Sequence, residues 1–223
     1  MKAKLFFSAV TKFALGLILV GLLLFLPAGT LSWPEGIRFM LILFVPMFIA
    51  GIVMLIKSPE LLRSRLDAKE KRGEQSLVIK LSGLMFLAGF ILSGLSFRFG
   101  WLRLPDWVSW AATAVFLVCY CLYAEVLREN VWLSRTIQVQ ENQTVVDTGL
   151  YGIVRHPMYA VTLLLFLSMP LVLGSILGFA VFLVYPFIIS GRIKDEEKLL
   201  EDELAGYREY KNKVKYRMIP FIW

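Results

Sequence analysis

Long apolar runs constrain this chain more than any other feature. They extend over Leu5 to Leu26, Ile37 to Ile56, roughly Leu81 to Phe99, roughly Trp107 to Leu127, and a last stretch from Met158 to Ser190. A helix crosses bilayer hydrocarbon with about 20 apolar residues, and helices are one of only two structures that satisfy their backbone groups there. The runs therefore predict membrane-spanning helices. Composition agrees, with 58% hydrophobic and 18% charged residues and a mean hydropathy of +0.69, where an ordinary globular domain is about one quarter charged. A soluble enzyme is excluded. The first run follows Lys2 and Lys4 and ends at Pro27-Ala28-Gly29, as a secretory signal would. It exceeds the usual signal core of about 7–15 residues and reads as a retained span, with Lys12 snorkelling to the interface. Pro46 in the second run is tolerated as a kink.

The stretch from Met158 to Ser190 decides topology, being too long for one span and too short for two full ones. Pro170 and Gly174-Ser175 lie at its middle, where two short helices can meet and return the chain to its starting side. Basic residues gather in the N-terminus, in the 57–80 loop, in the 128–157 segment and in the tail, while Arg38, Arg98 and Arg103 lie on the opposite side. One tilted span would carry the basic tail across the membrane, against the positive-inside tendency. The expected fold is therefore an all-α integral membrane protein of four transmembrane helices plus a C-terminal helical hairpin. Both termini and the polar segments face the cytoplasm, and an interfacial helix lies near the C-terminus. In the 57–80 loop, Leu61, Leu62 and Leu66 suggest a surface helix broken by Gly73. The Asn142-Gln143-Thr144 sequon then lies on the wrong side for glycosylation.

The excess of 24 Lys and Arg over 17 Asp and Glu reports orientation rather than nucleic-acid binding, because the basic residues lie between spans. Cys119 and Cys121 have no further sulfur or histidine nearby, so no zinc site or disulfide framework follows. Two polar segments carry the chemistry. The first runs from Thr144 through Asp147-Thr148-Gly149, Tyr151 and Arg155-His156-Pro157 to Met158-Tyr159. In it Val145-Val146 forms a short extended piece, Asp147 to Gly149 a turn, and Pro157 the first turn of a helix. The second begins at Gly191, with Arg192 and Glu196 four apart on one helix face and Leu199, Leu200 and Leu204 in an apolar stripe. The hairpin returns Arg192 and Glu196 to the face that holds Arg155 and His156. Ionisable groups beside membrane spans are functional candidates. His156 is the single histidine, which excludes a multi-histidine metal site, and no phosphate-binding glycine loop or nucleophile elbow is present.

Gly149-Leu150-Tyr151, Arg155-His156-Pro157-x-Tyr159, Glu196-Glu197 with Leu200, and Tyr207-x-x-Tyr210 through Ile219-Pro220-Phe221-Ile222 resemble the isoprenylcysteine carboxyl methyltransferase family. That family sits within the membrane methyltransferase group that includes phospholipid N-methyltransferases. The resemblance covers 107–223 in order and spacing and implies one domain over 1–223, with 1–106 providing spans and a cytoplasmic loop and 107–223 the catalytic half. It implies S-adenosylmethionine as cofactor, along Gln143, Thr144, Val145, Val146 and Tyr151, with His156, Pro157, Met158 and Tyr159 closing over it and Glu196 holding it from the C-terminal helix. Arg192 and Arg155 take the catalytic positions, and Arg192 and Glu197 face the substrate. Gln143 stands where family members often carry histidine, and Ala160-Val161-Thr162 stands where a glycine is usual.

Moving a methyl from a sulfonium to a carboxylate neutralises two opposite charges, so a water-poor site favours the transition state. A carboxylate needs no general base, only a positioning cation such as Arg192. A lipid amine must lose a proton, to Glu197 or His156. The expected function is methylation of a lipid-linked or prenylated carboxylate, in contact with membrane lipids. A phospholipid amine is the runner-up, and a small thiol is a further acceptor. The rivals are a non-catalytic scaffold or transporter, for which Glu125 is the nearest intramembrane charge, and a nicotinamide-dependent reductase of related architecture.

Overall fold

The computed structural model describes residues 2–66, 73–134 and 137–223. Its helices are α1 (Lys2–Ala28), α2 (Pro34–Lys57), α3 (Pro59–Leu66), α4 (Gly73–Phe99), α5 (Asp106–Glu129), α6 (Pro157–Val172), α7 (Ile176–Phe182), α8 (Tyr185–Glu203) and α9 (Tyr207–Lys213), with a 3₁₀ turn at Gly149–Gly152. Among the described residues there is no β-strand, only an isolated bridge between Arg103 and Ser175.

The four N-terminal apolar runs each become one helix, extended by a few polar residues at the ends. Pro34 opens α2 at a position where its missing N–H costs nothing, and α2 continues through Pro46. The Lys12 ammonium donates to the Leu66 carbonyl at the end of α3, pinning that short helix to α1. Leu61, Leu62 and Leu66 lie on the short helix α3, and α4 is described from Gly73; residues 67–72, just before the expected break, lie outside the described residues. Small residues on α4 set the packing. A Cβ on Gly94 would lie 2.6 Å from the Leu24 carbonyl oxygen of α1, and one on Gly89 would lie 2.3 Å from the Phe182 ring of α7. Glycine at these two positions lets helices approach closely, the usual device where lipid tails compete with apolar side chains. Phe39, Phe90, Phe116 and Phe182 fill the buried centre.

The last apolar stretch departs from expectation in one respect. The chain turns at Gly174-Ser175 beside the α4–α5 connection, where the Leu104 N–H donates to the Gly174 carbonyl and the Ile176 N–H to the Leu102 carbonyl. It then returns along α7 and α8, which continue well past Ser190 to Glu203. Ile176–Glu203 is long and apolar enough to cross a membrane by itself, whereas α6 has 16 residues. Among the described residues there are thus five span-length helices and one shorter apolar helix, where four spans and a hairpin of two short helices were expected. The expected interfacial helix is the polar half of α8, with Leu199 buried on it and Leu204 buried just past its end.

Candidate active site

The site begins where α5 ends. A Glu129 carboxylate oxygen accepts the Leu150 N–H at 3.1 Å, fixing the 3₁₀ turn. Gly149 has φ +51°, and a Cβ there would fall 1.7 Å from a Glu129 carboxylate oxygen. Only glycine both adopts this backbone easily and leaves room for the carboxylate. The turn buries Tyr151, whose carbonyl accepts the Tyr210 hydroxyl at 2.8 Å. Upstream, the Lys213 ammonium bonds Asp147 at 2.7 Å and holds its carboxyl below the usual carboxylate range, tying the 143–147 segment to α9. That segment belongs to no helix or strand.

The chain then runs against its own C-terminal segment. The Arg155 N–H donates to the Tyr216 carbonyl at 2.9 Å and the His156 N–H to the Arg217 carbonyl at 2.8 Å, and Pro157 opens α6 as its sequence position predicts.

Helix α8 sorts its side chains by phase. Arg192 and Glu196 lie one turn apart, and Tyr159 joins them: its hydroxyl donates to Glu196 at 2.5 Å and accepts from Arg192 Nε at 3.0 Å. Glu197, about 100° further round the helix, points elsewhere. It accepts from Arg155 Nε at 2.7 Å and from Arg217 Nε at 2.8 Å, and its Oε1 lies 3.3 Å from His156 Nε2. Arg155 also donates to the carbonyls of Val214 and Lys215. The Arg155 and Glu197 side chains are 4% and 3% exposed, so this pair is sealed inside the protein.

A cavity partly open to solvent lies between these elements. Its lining includes Gln143, Thr144, Val145, Val146, Tyr151, Arg155, His156, Met158, Tyr159, Arg192 and Glu196. Of the residues expected at the site, Pro157 and Glu197 do not line it. Asn130, Trp132, Leu200, Tyr207 and Tyr210 do, without having been selected as site residues from sequence. The two tyrosines were visible only as part of a motif, and Asn130 and Trp132 carried no signal. Gln143 uses its carbonyl oxygen to accept the Gln140 N–H at 2.9 Å.

Burial pushes the hydroxyls of Tyr151, Tyr207 and Tyr210 well above their ordinary pKa, so all three are proton donors at neutral pH. Tyr210 is satisfied by the Tyr151 carbonyl. The hydroxyls of Tyr151 and Tyr207 are shielded from solvent and make no hydrogen bond of normal geometry, which is unusual for buried polar groups. Among the described residues no cluster of metal-ligating side chains occurs.

Comparison with known proteins adds two findings. A family model described as phospholipid methyltransferase matches residues 106–205, the segment from α5 to just past the end of α8. A delta(14)-sterol reductase from Mus musculus is 30% identical over 91 residues, which cover 40% of this chain and 22% of the relative. The match thus spans about a fifth of that relative's length.

Proposed function

We propose that the protein is an S-adenosylmethionine-dependent methyltransferase of the membrane, acting at the cytoplasmic surface on an acceptor carried by a lipid. The observation that carries this reading is the joining of Tyr159, Arg192 and Glu196 on the wall of a cavity that Tyr151 and Tyr207 also line. The match of 106–205 to a phospholipid methyltransferase model supports it.

The residues suit the cofactor. Tyr151 and Tyr207 offer donors to ribose or carboxylate oxygens, Gln143 offers its amide N–H groups, and Val145, Val146 and Leu200 offer apolar contact for a purine. Glu196 offers a carboxylate to a cationic or hydroxyl group. When bound, the cofactor supplies a methyl group on a sulfonium centre. The protein's own work is to bind, orient and exclude water. Arg192, bonded at Nε to Tyr159, lines the cavity and suits an acceptor carboxylate, which a guanidinium binds through parallel hydrogen bonds. Arg155 and Glu197 act as positioning residues: their ion pair locks the C-terminal segment against 155–156 and thereby fixes His156, Met158 and Tyr159.

A phospholipid amine is the second reading, favoured by the family model's description. Such an acceptor needs a group to take its proton, and Glu196 is the carboxylate at the cavity wall. The test is a calorimetric titration of detergent-solubilised protein with S-adenosylmethionine and with reduced nicotinamide cofactor, followed by labelled methyl transfer to prenylcysteine, ethanolamine-lipid and thiol acceptors. Binding of the first cofactor and transfer to a lipid acceptor are expected. Binding of the nicotinamide cofactor instead would replace this reading with a reductase, the activity named for the matched relative.

A further inference from the structure

The N-terminal half brings one cation to the site that the motifs do not include. Arg65 sits on the last turn of α3, outside the segment that the family model matches. Its Nη2 lies 3.6 Å from the Met158 sulfur, a weak acceptor, and Met158 lines the cavity. Its guanidinium carbon stands 5.8 Å from the centre of the Tyr123 ring on α5. Its Nε is shut off from solvent and makes no hydrogen bond. Among the described residues no Asp or Glu forms an ion pair with it, whereas its neighbour Arg63 pairs with Glu60 at 3.1 Å in the open.

Among the described residues this half-buried guanidinium meets a thioether, a ring and, by charge, the Tyr151 phenol, which compensate it poorly. Sulfur is a weak acceptor, and a ring near 6 Å lies at the limit of useful cation–π attraction. The site lies where α3, α5 and α6 meet, beside a span end, so a lipid headgroup can reach it from the membrane. Lys12 of α1 holds the end of α3 in place, which positions Arg65 before any ligand arrives.

We infer that Arg65 binds the anionic group of the lipid acceptor, a phosphodiester or a carboxylate, on the side of Met158 nearest α3. The ammonium or carboxylate to be methylated then lies toward Arg192 and Glu196. This deepens the methyltransferase reading and rests on it. For a phospholipid the anion at Arg65 is the headgroup phosphate and the acceptor is the amine beyond it. For a prenylcysteine the carboxylate is both anion and acceptor, and Arg65 and Arg192 share it. Arginine suits either, because its planar fork matches both oxyanions.

The experiment measures binding of short-chain lipids to the purified full chain in non-ionic detergent. The probes are dioctanoyl phosphatidylethanolamine, its phosphate-free counterpart dioctanoylglycerol, S-farnesyl N-acetylcysteine and the methyl ester of the last. Wild type, Arg65→Gln, Arg65→Lys and the control Arg63→Gln are compared, with S-adenosylmethionine affinity measured in parallel. Arg65→Gln should weaken binding of an anionic probe by about tenfold or more, the scale of a lost charge-assisted hydrogen bond. It should leave the matching neutral probe and the cofactor unchanged, and Arg63→Gln should change nothing. The phosphate pair responding alone identifies a phospholipid, and the carboxylate pair alone a prenylcysteine. Equal losses for charged and neutral probes, or no loss for either anion, overturn the proposal. If Arg65→Gln does not fold, Arg65→Lys must weaken an anionic probe without weakening its neutral partner, or the proposal fails. Wild type that binds anionic lipid through Arg65 but not S-adenosylmethionine would keep the anion site and refute the methyltransferase reading.

Discussion

Replacing Glu197 with glutamine tests the site's scaffold at its most buried point. The change preserves shape and one carbonyl oxygen but removes the charge that faces two guanidinium groups. Arg155 Nε approaches one carboxylate oxygen at 2.7 Å and Arg217 Nε the other at 2.8 Å. Whichever way the new amide turns, its NH2 group meets a guanidinium N–H, donor against donor. The Arg155 and Glu197 side chains are 4% and 3% exposed, so water cannot replace the lost partner. Removing one member of a buried ion pair costs about 3–5 kcal/mol, chiefly because the other charge stays buried and uncompensated. The bonds from Arg155 to the carbonyls of Val214 and Lys215 survive, which argues for the lower part of that range. The comparison is Glu60→Gln, whose partner Arg63 lies in the open with side chains 50% and 72% exposed; such pairs contribute under about 1 kcal/mol. Reversible unfolding in mixed micelles, followed by tryptophan fluorescence, measures both. Equal losses for the two variants would refute the assignment of Glu197 as the charge that holds 155–156 to the C-terminal segment.

Glu196→Ala should weaken S-adenosylmethionine binding severely while Glu201→Ala, whose partner is Lys211 on α9, does little; calorimetry on both variants decides, and equal effects would reduce the acidic run to a solvated surface. Arg192→Lys should leave cofactor affinity nearly intact and slow transfer to a carboxylate acceptor by about 10- to 150-fold, the loss of one charge-assisted bond, with a much smaller effect on an amine acceptor; unchanged transfer to both would remove Arg192 from the site. Gly149→Ala should destabilise the 3₁₀ turn by more than about 1 kcal/mol, since φ +51° and the Glu129 carboxylate both oppose a Cβ, and should lower cofactor affinity with it; a neutral result would mean that Glu129 does not hold the turn. Single cysteines at positions 60, 150 and 205, placed in a variant lacking Cys119 and Cys121, should label from the same side of the membrane, and opposite labelling of 150 and 205 would refute the cytoplasmic placement of the site.

The helices that sequence predicts well are those whose apolar runs end in polar residues or proline, since hydrocarbon tolerates few other choices. Pro157 is placed correctly for the same local reason. The second arm after Ser190 is different. A charged stretch with Leu199, Leu200 and Leu204 has the pattern of an interfacial helix and equally that of a span continuing out of the apolar layer. Only the packing of Ile193, Glu197 and Leu199 against the protein chooses between them. The resemblance gave Glu196 to the cofactor and Glu197 to the substrate, and the structure turns Glu197 away from the cavity. Glu196 and Glu197 have one chemistry, and their roles separate only when the phase of α8 turns the first to the cavity and the second to Arg155. Asn130 and Trp132 reach the cavity from the irregular connection after α5, and Tyr207 and Tyr210 from the short helix α9; no periodicity reports where such pieces fold back. Arg65 sat in a charged loop where orientation already accounted for every basic residue.

The charge balance of the cavity follows from that phase. Tyr159 is neutral and stands between Arg192 and Glu196, so the cation and the carboxylate balance through a phenol. This pair carries no net charge, which keeps the cost of its low-dielectric wall small. It offers a carboxylate on one side of the phenol and a guanidinium on the other. A cationic cofactor group and an anionic acceptor can each replace the phenol as the nearer partner without leaving an unpaired charge. For the proposed carboxylate acceptor, transfer from a sulfonium would remove one positive and one negative ligand charge together and leave the Arg192 and Glu196 pair across Tyr159 as it stands. With an amine acceptor the positive charge moves from sulfur to nitrogen, and a proton must leave. Glu196 would then serve two demands, and the phosphate held at Arg65 would be the group that keeps the headgroup from turning away.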